Sequence, residues 1–189
     1  MGDELIDIVD KNGKKTKLIQ SKKYAHRVGL WHNVIHVWVY NSKGEVLLQK
    51  RSMNKHLWPG KWDISVGGHI GAGENIEKAA VRETFEEVGI RATTRKLEKA
   101  TVWKAKVLIG KPHDGKEYHD NREFVHVYFL KYESKASGLR VQKSEVDEVK
   151  FVPLKEFVKE LNNKTKCKQY AHNKKYYMTI IKILEKKFK

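Results

Sequence analysis

Apolar and polar positions change rhythm several times along the chain. Two short apolar runs, at residues 5–9 and 17–19, flank Asn12-Gly13, and that dipeptide between such runs predicts a β-hairpin over residues 4–20. Residues 24–29 are polar and carry His26. Trp31–Tyr40 is rich in β-branched and aromatic residues with few breakers, which predicts a core strand. Asn41-Ser42-Lys43-Gly44 turns the chain, and residues 45–50 return as its antiparallel partner. A loop over residues 51–60 ends in Trp58-Pro59-Gly60, and a short strand at 62–66 runs into Gly67-Gly68.

The rhythm then becomes helical. Asn75 is a good N-cap, Gly89 suits the left-handed residue past a helix end, and Val81, Phe85 and Val88 recur at helical spacing between them. That stripe predicts a core face, with Ala80 and Thr84 beside it. Leu97–Ile109 reads as strand, broken at Gly110-Lys111-Pro112, and a polar loop over 113–122 precedes a strand over 123–130. Residues 146–152 predict another strand, and Leu154–Asn162 and residues 174–187 predict helices. No repeat, linker or composition break divides the chain, so residues 1–189 are expected to form one domain. Strands, helix, strands, then helices predict a mixed sheet with helices packed against it.

Composition adds bounds. Hydrophobic residues make up 40% and charged ones 33%, a globular balance with a polar surface. No stretch approaches the roughly 20 apolar residues of a membrane span. The start, MGDELIDIVDKNGKK, lacks an apolar signal core, and Cys167 is a lone cysteine, which together predict a cytoplasmic protein. The formal charge of +16 attracts polyanions, nucleic acid among them. Its lysines are spread along the whole chain rather than clustered with aromatics, which favours a solvated coat over a nucleic-acid-binding role. The lysine-faced final helix is likewise expected to pack on the sheet rather than on a membrane. A homodimer stays open.

The candidate chemistry lies in GHIGAGENIEKAAVRETFEEVGI, residues 68–90. Glu83, Glu86 and Glu87 stand three and four apart, so a helix gathers them on one patch. Like charges so placed cost a few tenths of a kcal/mol per pair, and a divalent cation would offset that. Carboxylates are the hard ligands preferred by Mg²⁺ or Mn²⁺, which usually bind substrate phosphates as well.

Gly68, Glu74, Arg82-Glu83, Glu86-Glu87 and Gly89-Ile90 have the residues and spacing of the Nudix signature, and the chain resembles the Nudix hydrolases. Thr84 departs from the apolar residue expected there. The resemblance implies an α/β (α+β) fold: an α/β/α sandwich around a mixed sheet, with the motif as loop-helix-loop and a common core over about 31–152. It also implies Glu83 and Glu87 as principal metal ligands, Glu86 close behind, and the Gly68 carbonyl joining them. Arg82 would hold the glutamates and Glu74 would brace the loop. The general base is left between Glu83 or Glu86 in the motif and Glu117, Asp120 or Glu123 beyond it.

Residues 58–69 also resemble type I isopentenyl-diphosphate isomerase, a Nudix-fold enzyme. His26, His32, His69 and Glu123 fall near its metal-binding residues, but Gly67 stands where it has its catalytic cysteine. His69 could reach phosphate; His26 and His32 are expected to be hydrogen-bonded scaffold residues. The expected function is Mg²⁺- or Mn²⁺-dependent hydrolysis of a nucleoside diphosphate linked to another group. The alternatives are isomerisation of isopentenyl diphosphate and nucleic-acid binding. Specificity is expected from loops 51–61 and 111–122, with Trp58, Trp62 or Tyr118 as candidate base-stacking residues.

Overall fold

The computed structural model describes residues 3–55, 57–109 and 119–188. Its centre is strand β3 (Trp31–Tyr40). The strand is buried on both faces, as a near-continuous apolar run requires. It pairs in parallel with β8 (His119–Lys131) over its whole length, Trp31 opposite Arg122 and Tyr40 opposite Lys131. Its other neighbours are antiparallel. They are β1 (Leu5–Val9) near its start, β6 (Val66–His69) in the middle and β4 (Glu45–Arg51) at its end.

The predicted return of β4 along β3 holds only at Tyr40 opposite Val46. Beyond it β4 runs instead with β9 (Val146–Pro153), an antiparallel partner contributed from far along the chain. The predicted strand at 62–66 is two pieces, β5 (Trp62–Asp63) and β6. With β2 (Lys15–Ser21) completing the N-terminal hairpin and β7 (Leu97–Ile109) pairing β8, the sheet has nine strands among the described residues and mixed direction.

Alternation along β3 divides the core. Ile35, Val37 and Val39 face helix α2 (Ile76–Val88), joined by Leu47, Ala80 and Val88. Val34, Trp38 and Tyr40 face the opposite layer, α3 (Leu154–Asn162) and α4 (Lys174–Leu184), through Phe157, Tyr176, Tyr177 and Ile180. This is the expected α/β/α sandwich. The final helix ends at Leu184 and continues as a 3-10 turn over Glu185–Phe188. Tyr176, Tyr177, Ile180, Ile181 and Leu184 are buried against the sheet. One helix was not expected: α1 (Lys22–Val28) occupies the polar segment around His26.

Helix α2 starts and stops on the expected residues. The Asn75 side chain accepts the Lys78 N–H at 3.0 Å, and Gly89 closes the helix at φ +72°. Its buried face differs from the expected stripe. Phe85 is 49% exposed, while Ala80, Thr84, Glu87 and Val88 are buried. The core face therefore contains a threonine, whose hydroxyl is satisfied by the Ala80 carbonyl at 2.6 Å, and a glutamate. Hydrophobic spacing alone pointed a quarter-turn or more away.

Gly89 carries two constraints. Its positive φ disfavours any side chain, and a Cβ there would stand 2.8 Å from the Arg140 carbonyl oxygen. Gly89→Ala is expected to cost about 1–2 kcal/mol, read as a lower urea midpoint with unchanged slope; an unaltered midpoint contradicts this account of the helix end.

Candidate metal centre on the two faces of strand β6

Strand β6 lies against β3 with Gly67 opposite His36, Gly68 opposite Ile35 and His69 opposite Val34. Side chains alternate, so Gly68 faces α2 while Gly67 and His69 face the other layer. Each face carries its own set of donor side chains.

On the α2 face, Glu83 packs directly onto Gly68. A Cβ on Gly68 would stand 2.2 Å from the Glu83 carboxyl carbon, so only glycine admits the glutamate. Arg82 organises the row. Its guanidinium grips both oxygens of Glu74 at 2.9 Å each, donates to Glu83 at 2.8 Å and Glu86 at 3.1 Å, and reaches the His69 carbonyl at 3.2 Å. Glu74 in turn accepts the Gly71 N–H at 3.0 Å, bracing the loop before the helix.

The three glutamates lie on one side of α2 but at different depths. Glu86 is exposed, Glu83 is mostly covered, and Glu87 is buried, accepting Gln49 Nε2 at 3.0 Å and the Gly67 N–H at 3.3 Å. Burial pushes the Glu83 carboxyl up to about 6 in spite of Arg82 beside it. Burial, and then the charge of Glu83, push Glu87 up to about 8. No described cation pairs with Glu87, so its ionised form lacks a local counter-charge.

On the opposite face, His26, His32, His69 and Glu123 each offer a ligand atom, and these atoms all lie within 4.8 Å of one another. His32 sits opposite Glu123 in the parallel β3–β8 register, and His26 comes from α1. The His26 Nε2 lies 3.3 Å from His32 Nε2 and 3.1 Å from His69 Nε2. His32 Nδ1 is 3.0 Å from the Leu30 carbonyl, which only accepts, so the ring proton belongs on Nδ1 and the neutral ring's lone pair on Nε2. Metal-binding histidines are oriented by this kind of back-bond. Burial, then neighbouring His32, hold His69 well below its ordinary value and keep it neutral. Asn121 Nδ2 donates to Glu123 at 2.6 Å. The donors fit a divalent cation, and imidazoles with one carboxylate suit a transition ion better than Mg²⁺. The convergence differs from the scaffold role expected of His26 and His32.

Of the other candidate bases, Asp120 is tied to Arg122 by hydrogen bonds of 2.5 and 3.0 Å, outside either donor set. Glu117 and Tyr118 lie outside the described residues. Trp58 and Trp62 are engaged within the fold, Trp58 edge-on to His172 and Trp62 beneath the Lys150 ammonium at 3.8 Å.

The sequence reading missed Gln49, Asn121 and a buried ion network. In that network Asp63 accepts from His172 at 3.0 Å and Arg51 at 3.1 Å. Although burial opposes it, these partners hold Asp63 well below the ordinary carboxylate range. A signal for α1 was present: Ser21 caps it by accepting the Tyr24 N–H, and Gly29 ends it at φ +73°.

A NUDIX domain model matches residues 30–172. The chain belongs to the Nudix family. An uncharacterised Nudix hydrolase of Clostridium acetobutylicum is 34% identical over 169 residues, 87% of this chain and 77% of that protein. Nudix hydrolase 3 of Arabidopsis thaliana is 34% identical over 158 residues, 83% of this chain, although the match spans only 20% of the plant protein. The isopentenyl-diphosphate Delta-isomerase of Serratia proteamaculans is 32% identical over 136 residues, 72% of this chain and 70% of the isomerase. Among solved structures, a protein of Deinococcus radiodurans superposes with a TM-score of 0.68 at 19% identity, covering 95% of this chain and 99% of its own. The NUDIX domain of Shewanella oneidensis NrtR, complexed with ADP ribose, superposes at 0.58 with 14% identity, covering 96% and 94%. The chain is thus a Nudix hydrolase with relatives among both hydrolases and isopentenyl-diphosphate isomerases.

A carboxyl whose pKa rises on folding stabilises the fold fully below its unfolded value near 4.5, and that contribution is lost as pH climbs through the folded value, about 8 for Glu87. Glu87→Gln removes the forced ionisation and keeps an acceptor for Gln49. In EDTA its melting temperature is expected to exceed the parent's at pH 8 by several degrees, at roughly 2–4 °C per kcal/mol, with the gap closing by pH 5. A gap independent of pH would refute the buried, cation-free carboxyl.

Proposed function

We propose that the chain hydrolyses the diphosphate bond of a nucleoside diphosphate linked to a second group, using divalent cations. The observation that carries this reading is the α2 row itself: Arg82 holds Glu83, which packs on Gly68, and the exposed Glu86, while the innermost carboxylate, Glu87, is buried with no described cation to balance it. Glu83, Glu87, Glu86 and the Gly68 carbonyl would hold Mg²⁺ or Mn²⁺, and His26, His32, His69 and Glu123 a transition ion such as Mn²⁺. Bound cations there supply neutralisation of diphosphate charge, polarisation of the P–O bond and a lowered pKa for water.

The chain's own groups do the rest. Arg82 keeps Glu83 and Glu86 in position, and Gln49 and the Gly67 N–H orient Glu87. Glu83, beside Gly68 where the cation-bound water would lie, is the first candidate to take the proton of the attacking water. Glu86, more exposed, is the second candidate for that role. Glu123, held by Asn121 among the histidines, is assigned to ligation rather than to proton transfer.

A specific observation favours a second reading, isomerisation of isopentenyl diphosphate: the His26–His32–His69–Glu123 group, together with the identity to the Serratia isomerase. Gly67 opposes it, because proton transfer at an alkene carbon requires an acid-base side chain that glycine lacks.

ADP-ribose, the ligand of the Shewanella domain, heads the test panel of nucleoside diphosphate derivatives. Turnover with Mg²⁺ or Mn²⁺ is expected to release two phosphate monoesters, and Glu83→Gln or Glu87→Gln to lower the rate on the order of 10³-fold with the fold retained by circular dichroism. An unchanged rate in either variant removes that glutamate from the mechanism. Conversion of isopentenyl diphosphate to its allylic isomer, with the nucleotide panel inert, would replace the first reading with the second.

A further inference from the structure

Three buried side chains on the histidine face of the sheet, Trp38, Tyr176 and His36, form a hydrogen-bonded chain with no part in the chemistry described so far. The Trp38 Nε1–H donates to the Tyr176 hydroxyl oxygen at 3.3 Å, and that oxygen lies 2.6 Å from His36 Nδ1. Burial, then neighbouring His172, keep the His36 ring neutral, with one proton to place. Burial also pushes the Tyr176 hydroxyl up, so it keeps its own proton. Its one described acceptor is His36 Nδ1. The arrangement that places every proton has the hydroxyl donating to Nδ1, which puts the ring's proton on Nε2. His36 is therefore the reverse of His32, whose Nδ1 is protonated against the Leu30 carbonyl. One ring offers a lone pair and the other a donor.

That donor borders Gly67. A Cβ at residue 67 would stand 3.4 Å from His36 Cδ2 and 3.6 Å from Nε2, so this edge of the ring lines the room a side chain would fill. The ring is 7% exposed, and Nε2 makes no hydrogen bond to a described residue. A donor so deeply placed calls for a partner from outside the chain. His172 packs beside it, ring centres 5.0 Å apart, and is itself anchored to Asp63 at 3.0 Å, which limits how the ring can turn. We propose that His36 is a substrate-binding residue: its Nε2–H donates to a phosphate oxygen lying over Gly67, while a cation on His26, His32, His69 and Glu123 holds another oxygen of the same phosphate. The assignment rests on reading that group as a cation site. Residues 67 and 69 are two apart on β6, about 6.6 Å along the strand, room for one tetrahedral phosphate. A neutral N–H orients the anion without repelling the cation, as an imidazolium would. Gly67, which packing does not require, then has a use: it leaves the donor within reach.

The test is a ring-nitrogen NMR titration of the full chain with Zn²⁺, a diamagnetic ion that imidazoles bind, and then methylenediphosphonate, a diphosphate mimic that cannot be hydrolysed. Before either is added, His36 is expected in the Nε2–H form. Zn²⁺ is expected to shift the His32 and His69 rings, and the diphosphonate then to shift the His36 Nε2–H downfield. Affinity is read on the His69 ring, so that diphosphonate beside the α2 glutamates does not register. His36→Phe is expected to lose roughly tenfold or more in that affinity, the worth of a hydrogen bond to a charged oxygen. His36→Gln, which returns an N–H near the same place, is expected to keep most of it. Tyr176→Phe is expected to show both His36 tautomers and an intermediate affinity, with the Zn²⁺ shifts of the parent. A His36 ring in the Nδ1–H form, a His36 signal unmoved by the diphosphonate, or equal affinity in His36→Phe overturns the proposal. Should His36→Phe not fold, the parent's His36 signal decides. If Zn²⁺ leaves His32 and His69 unmoved, the cation reading fails and the proposal falls with it.

Discussion

The register of β6 against β3 is the constraint on which the site depends. Side chains alternate with a period of two, so pairing Gly68 with Ile35 sends Glu83's resting place toward α2 and His69 toward the other layer. A slip of one residue would bring His69 under the glutamate helix and close the gap into which Glu83 packs. The register of β3 is itself fixed by burial on both faces and by its parallel pairing with β8. That same pairing sets His32 opposite Glu123. Two donor sets on opposite faces are thus consequences of one strand's position.

Desolvation, rather than repulsion between neighbouring glutamates, dominates the energetics of the row. Like charges at helical spacing cost tenths of a kcal/mol, whereas burying an ionised carboxylate costs several. Glu83 shows the balance: a guanidinium at 2.8 Å would ordinarily pull a carboxyl down, yet burial leaves it raised. Arg82 therefore offsets only part of the cost. It is shared among Glu74, Glu83 and Glu86 and does not reach Glu87, the most deeply placed of the set. A scaffold that keeps such a carboxylate inside is one whose ionised form depends on charge arriving from outside the chain.

What the sequence made legible was mostly local. The bounds of β3, β7 and α3, the Asn75 cap and the Gly89 stop all follow from residues adjacent to one another. The inward face of α2 followed only in part: Ala80, Thr84 and Val88 are buried as expected, but Phe85 is exposed and Glu87 is buried through Gln49, a partner that hydrophobic periodicity does not count. The antiparallel pairing of β4 with β3 holds at Tyr40 and Val46, but the longer β4–β9 ladder was not legible, since β9 reaches β4 only after a long excursion of the chain. The histidine group was hardest. Its members lie on a helix, two strands of opposite direction and a third strand in parallel, and no spacing rule encodes that meeting.

Gly67 decides what the two faces can do together. A Cβ at that position would lie 3.4 Å from the His36 ring, an ordinary contact, so packing does not demand glycine there. Its effect is chemical. At the point where β6 passes between the carboxylates and the histidines, the chain presents a backbone N–H, already given to Glu87, and no side chain. The nearest titratable ring, His36, is buried, which holds it well below its ordinary value, and its Nδ1 is engaged by the Tyr176 hydroxyl at 2.6 Å. Neither group is placed to exchange a proton with carbon. A site with abundant negative and imidazole donors but no proton carrier between them is suited to gathering cations around an anionic substrate. Under the proposed reading the attack is by water on phosphorus, with Glu83 on the same face as Glu86 and Glu87.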